Sequence, residues 1–309
     1  MIIKNLNIMF FKKIWKKITN KKEYQYLKSI ESNKKSNEEF KVKFEPYINN
    51  IQKKIKSQKE LSILHSGHSG DIINALPVIK ELSKTHLCNL YININKPLNR
   101  IYYNHPGKDV FINEKIFKML HPLLKNQNFI NKIDRHKSEK IDINFDIFRE
   151  LPINISFDNL RYSFQIAGIQ PDIDTPYLEV DSHEKIKNKI IVQRTFRYRN
   201  QFINYKFLNN YKEIYFVGTL NEYKDLKQDV KNLIYYDCKD FLEMAQIIKS
   251  SKFFIGNSSV GFPIAEALKT PRLLESCPYF PAALPHGKNA YDFYYQAHFE
   301  KFFKILNER

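Results

Sequence analysis

Within seven residues, His65-Ser66-Gly67-His68-Ser69-Gly70-Asp71 brings together two imidazoles, two hydroxyls, two glycines and a carboxylate. Gly67 and Gly70 allow a tight turn that leaves peptide N–H groups free at the start of a helix, which is an anion-binding arrangement. Asp71 falls where a carboxylate either caps that helix or takes a proton as general base. The spacing is not that of a Walker A loop, because no Gly-Lys-Ser/Thr follows. Nor is it a complete G-x-G-x-x-G, so a redox dinucleotide is not indicated. His65, His68 and Ser69 complete the first candidate constellation. The second is Gln193-Arg194-Thr195-Phe196-Arg197-Tyr198-Arg199-Asn200. The planar fork of Arg matches phosphate oxygens bidentately, which makes Arg194 and Arg197 candidates for a diphosphate. A solvated loop of a basic chain is the alternative. The third runs from Phe254 to Leu268, where Gly256, Asn257, Ser258 and Ser259 form a polar turn before a helix of small residues. Glu266 on that helix is either an acceptor for two ribose hydroxyls or a partner of the helix dipole.

These positions need strands that deliver them and helices that start beside them. Leu61 to His65 reads as a short buried strand, and Ile72, Ile73, Ala75, Leu76, Ile79 and Leu82 follow at helical spacing. Leu87 to Ile94 is the next strand, with a helix near 114–124, a strand near 140–147 and a helix over 158–168. Pro171 and Pro176 mark a linker. Lys189–Gln193, Glu213–Gly218, Lys252–Gly256 and Pro271–Glu275 then read as strands of a second such unit, and 290–306 as a terminal helix. The fold class is α/β, with two Rossmann-like domains facing across a cleft where strand carboxyl ends present ligand groups. The expected division is a basic helical extension over 1–60, one domain over 61–175 and a second over 176–309. Glycine is scarce, at 8 residues in 309. Gly218, at a strand end, therefore joins the candidates for close approach of backbone to ligand.

The net charge of +17 favours anionic partners. No zinc finger, aromatic RNP-like motif or dense basic stripe points to nucleic acid. Cys88, Cys238 and Cys277 are too few and too scattered for a disulfide framework, which suits a reducing cytoplasm. No apolar run reaches the roughly 18 residues of a membrane span. Residues 1–22 mix Phe10, Phe11, Ile14, Trp15 and Ile18 with Lys12, Lys13, Lys16 and Lys17. Wound as a helix, they form either a surface anchor for anionic lipid or an element docked on the body. No secretory cleavage site follows.

The segment Gly70-Asp71-Ile72-Ile73-Asn74-Ala75-Leu76-Pro77-Val78-Ile79 resembles the amino-terminal motif of bacterial lipopolysaccharide heptosyltransferases. Phe254 to Leu268 is similar to that family's carboxyl-terminal nucleotide-sugar motif. The resemblance implies a GT-B glycosyltransferase, metal-independent and inverting, with no cofactor beyond its nucleotide-sugar donor. Its acceptor would be a cell-surface glycan or glycolipid, and its place the cytoplasm, peripheral on the inner membrane. It also implies that Asp71 is the catalytic base, that a phosphate-binding cation lies at Arg194 or Arg197, and that the terminal helix crosses back to the first domain. Glu266 resembles the ribose-binding Glu of other GT-B enzymes. The family's Asp-Thr-Gly turn falls on Ser258, Ser259 and Val260 and its later His on Pro263, both departures. An epimerase on the same fold and an inactive GT-B binding module are the alternatives.

Overall fold

A computed structural model describes residues 15–98, 105–150 and 158–309. Most of the amphipathic stretch 1–22 lies outside the described residues. Residues 15–19 are helical, with Trp15 68% and Ile18 78% exposed. The chain divides into two compact units, Met1–Asn50 and Ile51–Arg309. In the first, helix α1 (Lys21–Glu39) starts at Asn20, whose side chain accepts the Glu23 N–H at 3.1 Å. Rich in Lys, Glu, Asn and Ser, α1 buries none of its residues. A π-helical turn (Phe40–Phe44) leads into α2 (Glu45–Ser57).

The larger unit begins within α2. Gln52 donates to the Ala167 carbonyl, and Lys54 pairs with Asp142 at 3.1 Å. Strands β1 (Glu60–His65), β2 (Leu87–Ile92), β3 (Lys132–Arg135) and β4 (Ile143–Asn144) form a parallel sheet in the order β3-β2-β1-β4. Helices α3 (Ser69–Ser83), α4 (Glu114–Lys125) and α5 (Tyr162–Ala167) accompany it. A parallel strand covered on both faces reads as an apolar run. Leu61, Ile63 and Leu64 of β1 are accordingly buried. Helix α3 is apolar nearly all round, and Ile72, Ile73, Leu76, Val78 and Ile79 are fully enclosed. Gly168, at φ +63°, ends α5 in the left-handed conformation that glycine tolerates.

The second sheet is built from β5 (Ile190–Gln193), β6 (Ile214–Val217), β7 (Ile234–Tyr236), β8 (Phe253–Asn257), β9 (Arg272–Glu275) and β10 (Ala290–Phe293). Its order is β10-β9-β8-β5-β6-β7, all parallel. Helices α6 (Leu220–Asp229), α7 (Phe241–Ser250), α8 (Gly261–Leu268) and α9 (Gln296–Asn307) belong to this half. Thr219 and Glu222 cap α6 reciprocally, and Asp240 caps α7. The sequence expectation for the terminal helix is corrected here in two ways. Residues 290–293 pair with β9 as an edge strand, so the helix begins later. It also does not cross back: Phe299, Phe303 and Leu306 sink into the core beneath β5, β6 and β8, with Phe293 stacked on Phe299. Burying three large apolar side chains against its own sheet gives about 1.5–3 kcal/mol each, enough to hold α9 where it is.

Candidate functional site

Asp71 is the third residue of α3. Its Oδ2 accepts the His68 N–H at 3.0 Å and the Arg149 guanidinium at 2.7 Å. Among the described residues Oδ1 takes no hydrogen bond, and the side chain is 24% exposed. Arg149 ends a 3-10 turn (Phe145–Arg149) that follows β4, and its fork also reaches Asp146 at 3.5 Å. Its guanidinium carbon is held 4.6 Å from the Phe111 ring centre and 4.1 Å from that of Phe148. The need for glycine at 67 is steric. A Cβ there would lie 2.7 Å from Asp71 Oδ2 and 2.9 Å from Arg149. Partial desolvation pushes the Asp71 pKa up. The Arg149 guanidinium and the His68 amide outweigh it, so the carboxyl sits below its ordinary value and is ionised at neutral pH.

The histidines divide. His65 is buried, and its Nδ1 accepts the Gly67 N–H at 3.0 Å, which clamps the turn from behind. Burial lowers its pKa. His68 stands at the cavity, 3.3 Å from His105 and edge-on to Phe111. Desolvation pushes His68 down to about 3 and His105 to about 4, so the pair is uncharged at neutral pH. Gly70 lies in the first turn of α3 rather than in the loop. A Cβ there would meet Pro263 of α8 at 3.3 Å, so the glycine lets the two halves pack closely.

In the second half the structure separates the arginines. Arg194 does not line the cavities. Its fork grips Glu275 at 2.7 and 2.9 Å, and Glu275 also accepts the Asn200 N–H and the Tyr205 hydroxyl. Arg199 pairs with Asp225 at 2.6 Å. Arg197 lines the cavities, 5.4 Å from the Tyr198 ring centre. Asn257, fully buried, is an amide clamp. It donates to the Thr195 and Arg197 carbonyls and accepts from Thr195, which holds the arginine loop in shape. Gly256 packs under the Phe254 ring. Glu266 is likewise committed inward, to Arg272 at 2.7 Å and to Lys269, and is 2% exposed. A ribose hydroxyl would have to displace a buried ion pair to reach it.

Two adjoining cavities occupy the carboxyl ends of both sheets. One, of about 760 Å³, is lined by Asp71, Arg149 and His68 on one side and by Arg197, Ser258 and Ser259 on the other. The second, of about 1360 Å³, extends over Ser69, Thr195, Gly218, Thr219, Asp237 and Lys239. Gly218 adopts φ +150° at the turn into α6. Among the described residues no three His, Cys, Asp or Glu side chains are grouped as a metal site. The residues that sequence reasoning missed here are Arg149, Phe148, Phe111 and His105. Arg149 meets Asp71 across 78 residues of chain. The 95–150 stretch offers no periodic pattern that would signal the contact.

No protein-family model and no curated protein sequence matches the chain. Among solved structures it is similar to the glycosyl transferase family 9 protein of Veillonella parvula. That likeness has a TM-score of 0.52 and 11% identity, over 81% of this chain and 89% of that one. It is also similar to the E. coli heptosyltransferase WaaC with ADP, at a TM-score of 0.52 and 8% identity, over 80% of this chain and 99% of that one. Likeness at such identity is likeness of fold. Two parallel, Rossmann-like sheets with cavities at their carboxyl ends give this chain the GT-B fold found in heptosyltransferases.

Proposed function

We propose that the chain is a glycosyltransferase that moves a sugar from a nucleotide-diphosphate donor to a glycan or glycolipid acceptor, with inversion and without a metal. The observation that carries the reading is Asp71, an ionised carboxylate at a cavity wall with one oxygen already tied down. In this mechanism its other oxygen accepts the proton of the acceptor hydroxyl. The hydroxyl oxygen bonds to the anomeric carbon from the face opposite the diphosphate. The bond from that carbon to the diphosphate oxygen breaks, and the configuration inverts. Negative charge develops on the leaving phosphate, where Arg197 and the Ser258–Ser259 turn before α8 are suited to meet it. The donor nucleotide fits the larger cavity, at the carboxyl ends of β5, β6 and β7. The fold shared with a family 9 glycosyl transferase and a heptosyltransferase supports this reading.

The test is incubation with a panel of labelled nucleotide sugars and a surface-glycan extract, followed by product analysis. Transfer with inverted configuration is expected. A product epimerised at the sugar ring and still joined to the nucleotide would favour the epimerase, and binding without turnover the inactive module. The reading also includes a cytoplasmic enzyme held on the inner membrane through residues 1–22. No described helix is long and apolar enough to cross a membrane. Trp15 is the single Trp of the chain, so its emission reports the contact directly. A blue shift on phosphatidylglycerol vesicles but not on phosphatidylcholine vesicles is expected, with loss of co-sedimentation when residues 1–22 are deleted. Equal behaviour on the two vesicles would refute lipid contact through charge.

A further inference from the structure

Arg149 is shared between two carboxylates. Its Nη2 donates to Asp71 Oδ2 at 2.7 Å, while its Nη1 reaches Asp146 Oδ1 at 3.5 Å. Asp146 is fixed in place and cannot follow the arginine. Its own N–H is bound by Asn144 Oδ1 at 3.0 Å. Its Oδ1 also accepts the Ser66 N–H at 2.8 Å, and its Oδ2 accepts from Lys96 at 3.2 Å. The side chain is buried. Burial pushes the Asp146 pKa up, and His65, the Ser66 contacts and Lys96 outweigh it, so this carboxyl too is ionised at neutral pH.

The split has a chemical consequence. An arginine fork left with a single carboxylate closes on both of its oxygens through two parallel N–H···O bonds. At Asp71 that would occupy Oδ1, the oxygen that takes no hydrogen bond among the described residues. Asp71 alone already neutralises Arg149, and the Ser66 N–H needs only an acceptor, which a neutral amide supplies. A second buried acid exceeds what charge balance or the turn requires. We propose that Asp146 is a positioning residue: it holds one nitrogen of Arg149 away from Asp71 and so keeps Asp71 Oδ1 open for an incoming hydroxyl. That this oxygen takes the proton rests on the transfer reading above.

Asp146→Asn in the full chain tests it, because Asn still accepts the Ser66 N–H but attracts a guanidinium far less. In a crystal structure of that variant Arg149 should bond both oxygens of Asp71. Turnover should fall about tenfold with the donor KM unchanged, since a base with both oxygens bonded takes a proton less readily. In an Arg149→Gln background the same substitution should cost little, because no fork remains to close. Lys96→Gln is the second variant, at a half-exposed position where folding is spared. It removes a partner of Asp146 but not the split, so turnover should stay at the native level. Three results would overturn the inference: Arg149 keeping to one Asp71 oxygen in Asp146→Asn, an equal loss of turnover with and without Arg149, or a tenfold loss in Lys96→Gln. An Asp146→Asn chain too unstable to fold would make Asp146 a structural anchor and overturn it as well. The two readings fail separately. If no nucleotide sugar supports transfer yet the fork closes in Asp146→Asn, the transferase reading falls and the positioning stands. If Asp71→Asn abolishes transfer while Asp146→Asn turns over like the native chain, the positioning falls alone.

Discussion

Asp71, in the first turn of the helix after β1, and Glu275, the last residue of β9, are both carboxylates gripped by an arginine, one in each half of the body, yet they are built for different work. Glu275 is completely enclosed, and its oxygens accept from Arg194, Asn200 and Tyr205. Every lone-pair direction is used, and the cluster ties β9 to the loop after β5. Asp71 is held by one oxygen only and keeps solvent access. A carboxylate whose acceptor capacity is spent can only hold structure, whereas one with capacity left at a cavity can take a proton. Glu266 belongs with Glu275, being closed in by Arg272 and Lys269.

The contrast can be broken most decisively at Asp71. Asp71→Asn should lower turnover by about 10²–10⁴, the usual contribution of a positioned base. Its melting temperature should fall far less than that of Glu275→Gln, since Asn still accepts the His68 N–H and Arg149 keeps Asp146 as a partner. Steady-state rates with thermal melts decide this, and an unstable but fully active variant would make Asp71 a cap. Glu275→Gln should do the reverse. It strands the buried Arg194 cation and should cost about 3–5 kcal/mol of stability in urea titrations, with KM values unchanged in the folded fraction. The arginines follow the same division. Arg197→Ala should weaken nucleoside-diphosphate binding by about 1.5–3 kcal/mol by calorimetry. Arg194→Ala should instead appear as lost stability. Equal loss of diphosphate affinity in both would mean that Arg194 leaves its pocket when ligand arrives.

The smallest effect sharpens the comparison through pH. Arg149 keeps the Asp71 carboxyl below its ordinary pKa against the upward push of desolvation. Arg149→Gln removes that cation, so the carboxyl should protonate at a higher pH. The acid limb of the turnover profile should then move upward in pH. The native pair also contributes stability that is complete above the unfolded carboxyl's pKa and fades as pH falls through the lowered folded value. Arg149→Gln should flatten that acid dependence, which urea titrations at several pH values would register.

Much of this molecule is legible in its sequence because it is local. Apolar runs such as Leu61–Leu64 and Phe253–Ile255 declare buried parallel strands, and glycines in a chain that avoids them mark the turns beyond. Asp71 is visible because the glycine, the carboxylate and the helix start lie within a few residues. The Ser258–Ser259 turn is visible for the same reason. What the sequence leaves undetermined is which charged side chain faces the cavity and which is locked away. Arg194 and Arg197 stand three residues apart, with nothing local to tell them apart. Their fates differ because Glu275, 81 residues on, arrives beneath one of them, while Asn257 and the left-handed Tyr198 turn the loop so that the other meets the cavity. Arg149 reaches Asp71 only once β4 has docked beside β1. Hydrophobic periodicity records burial along one element. The pairing of charges from distant elements is decided when the sheets assemble, because only then does desolvation make a partner obligatory.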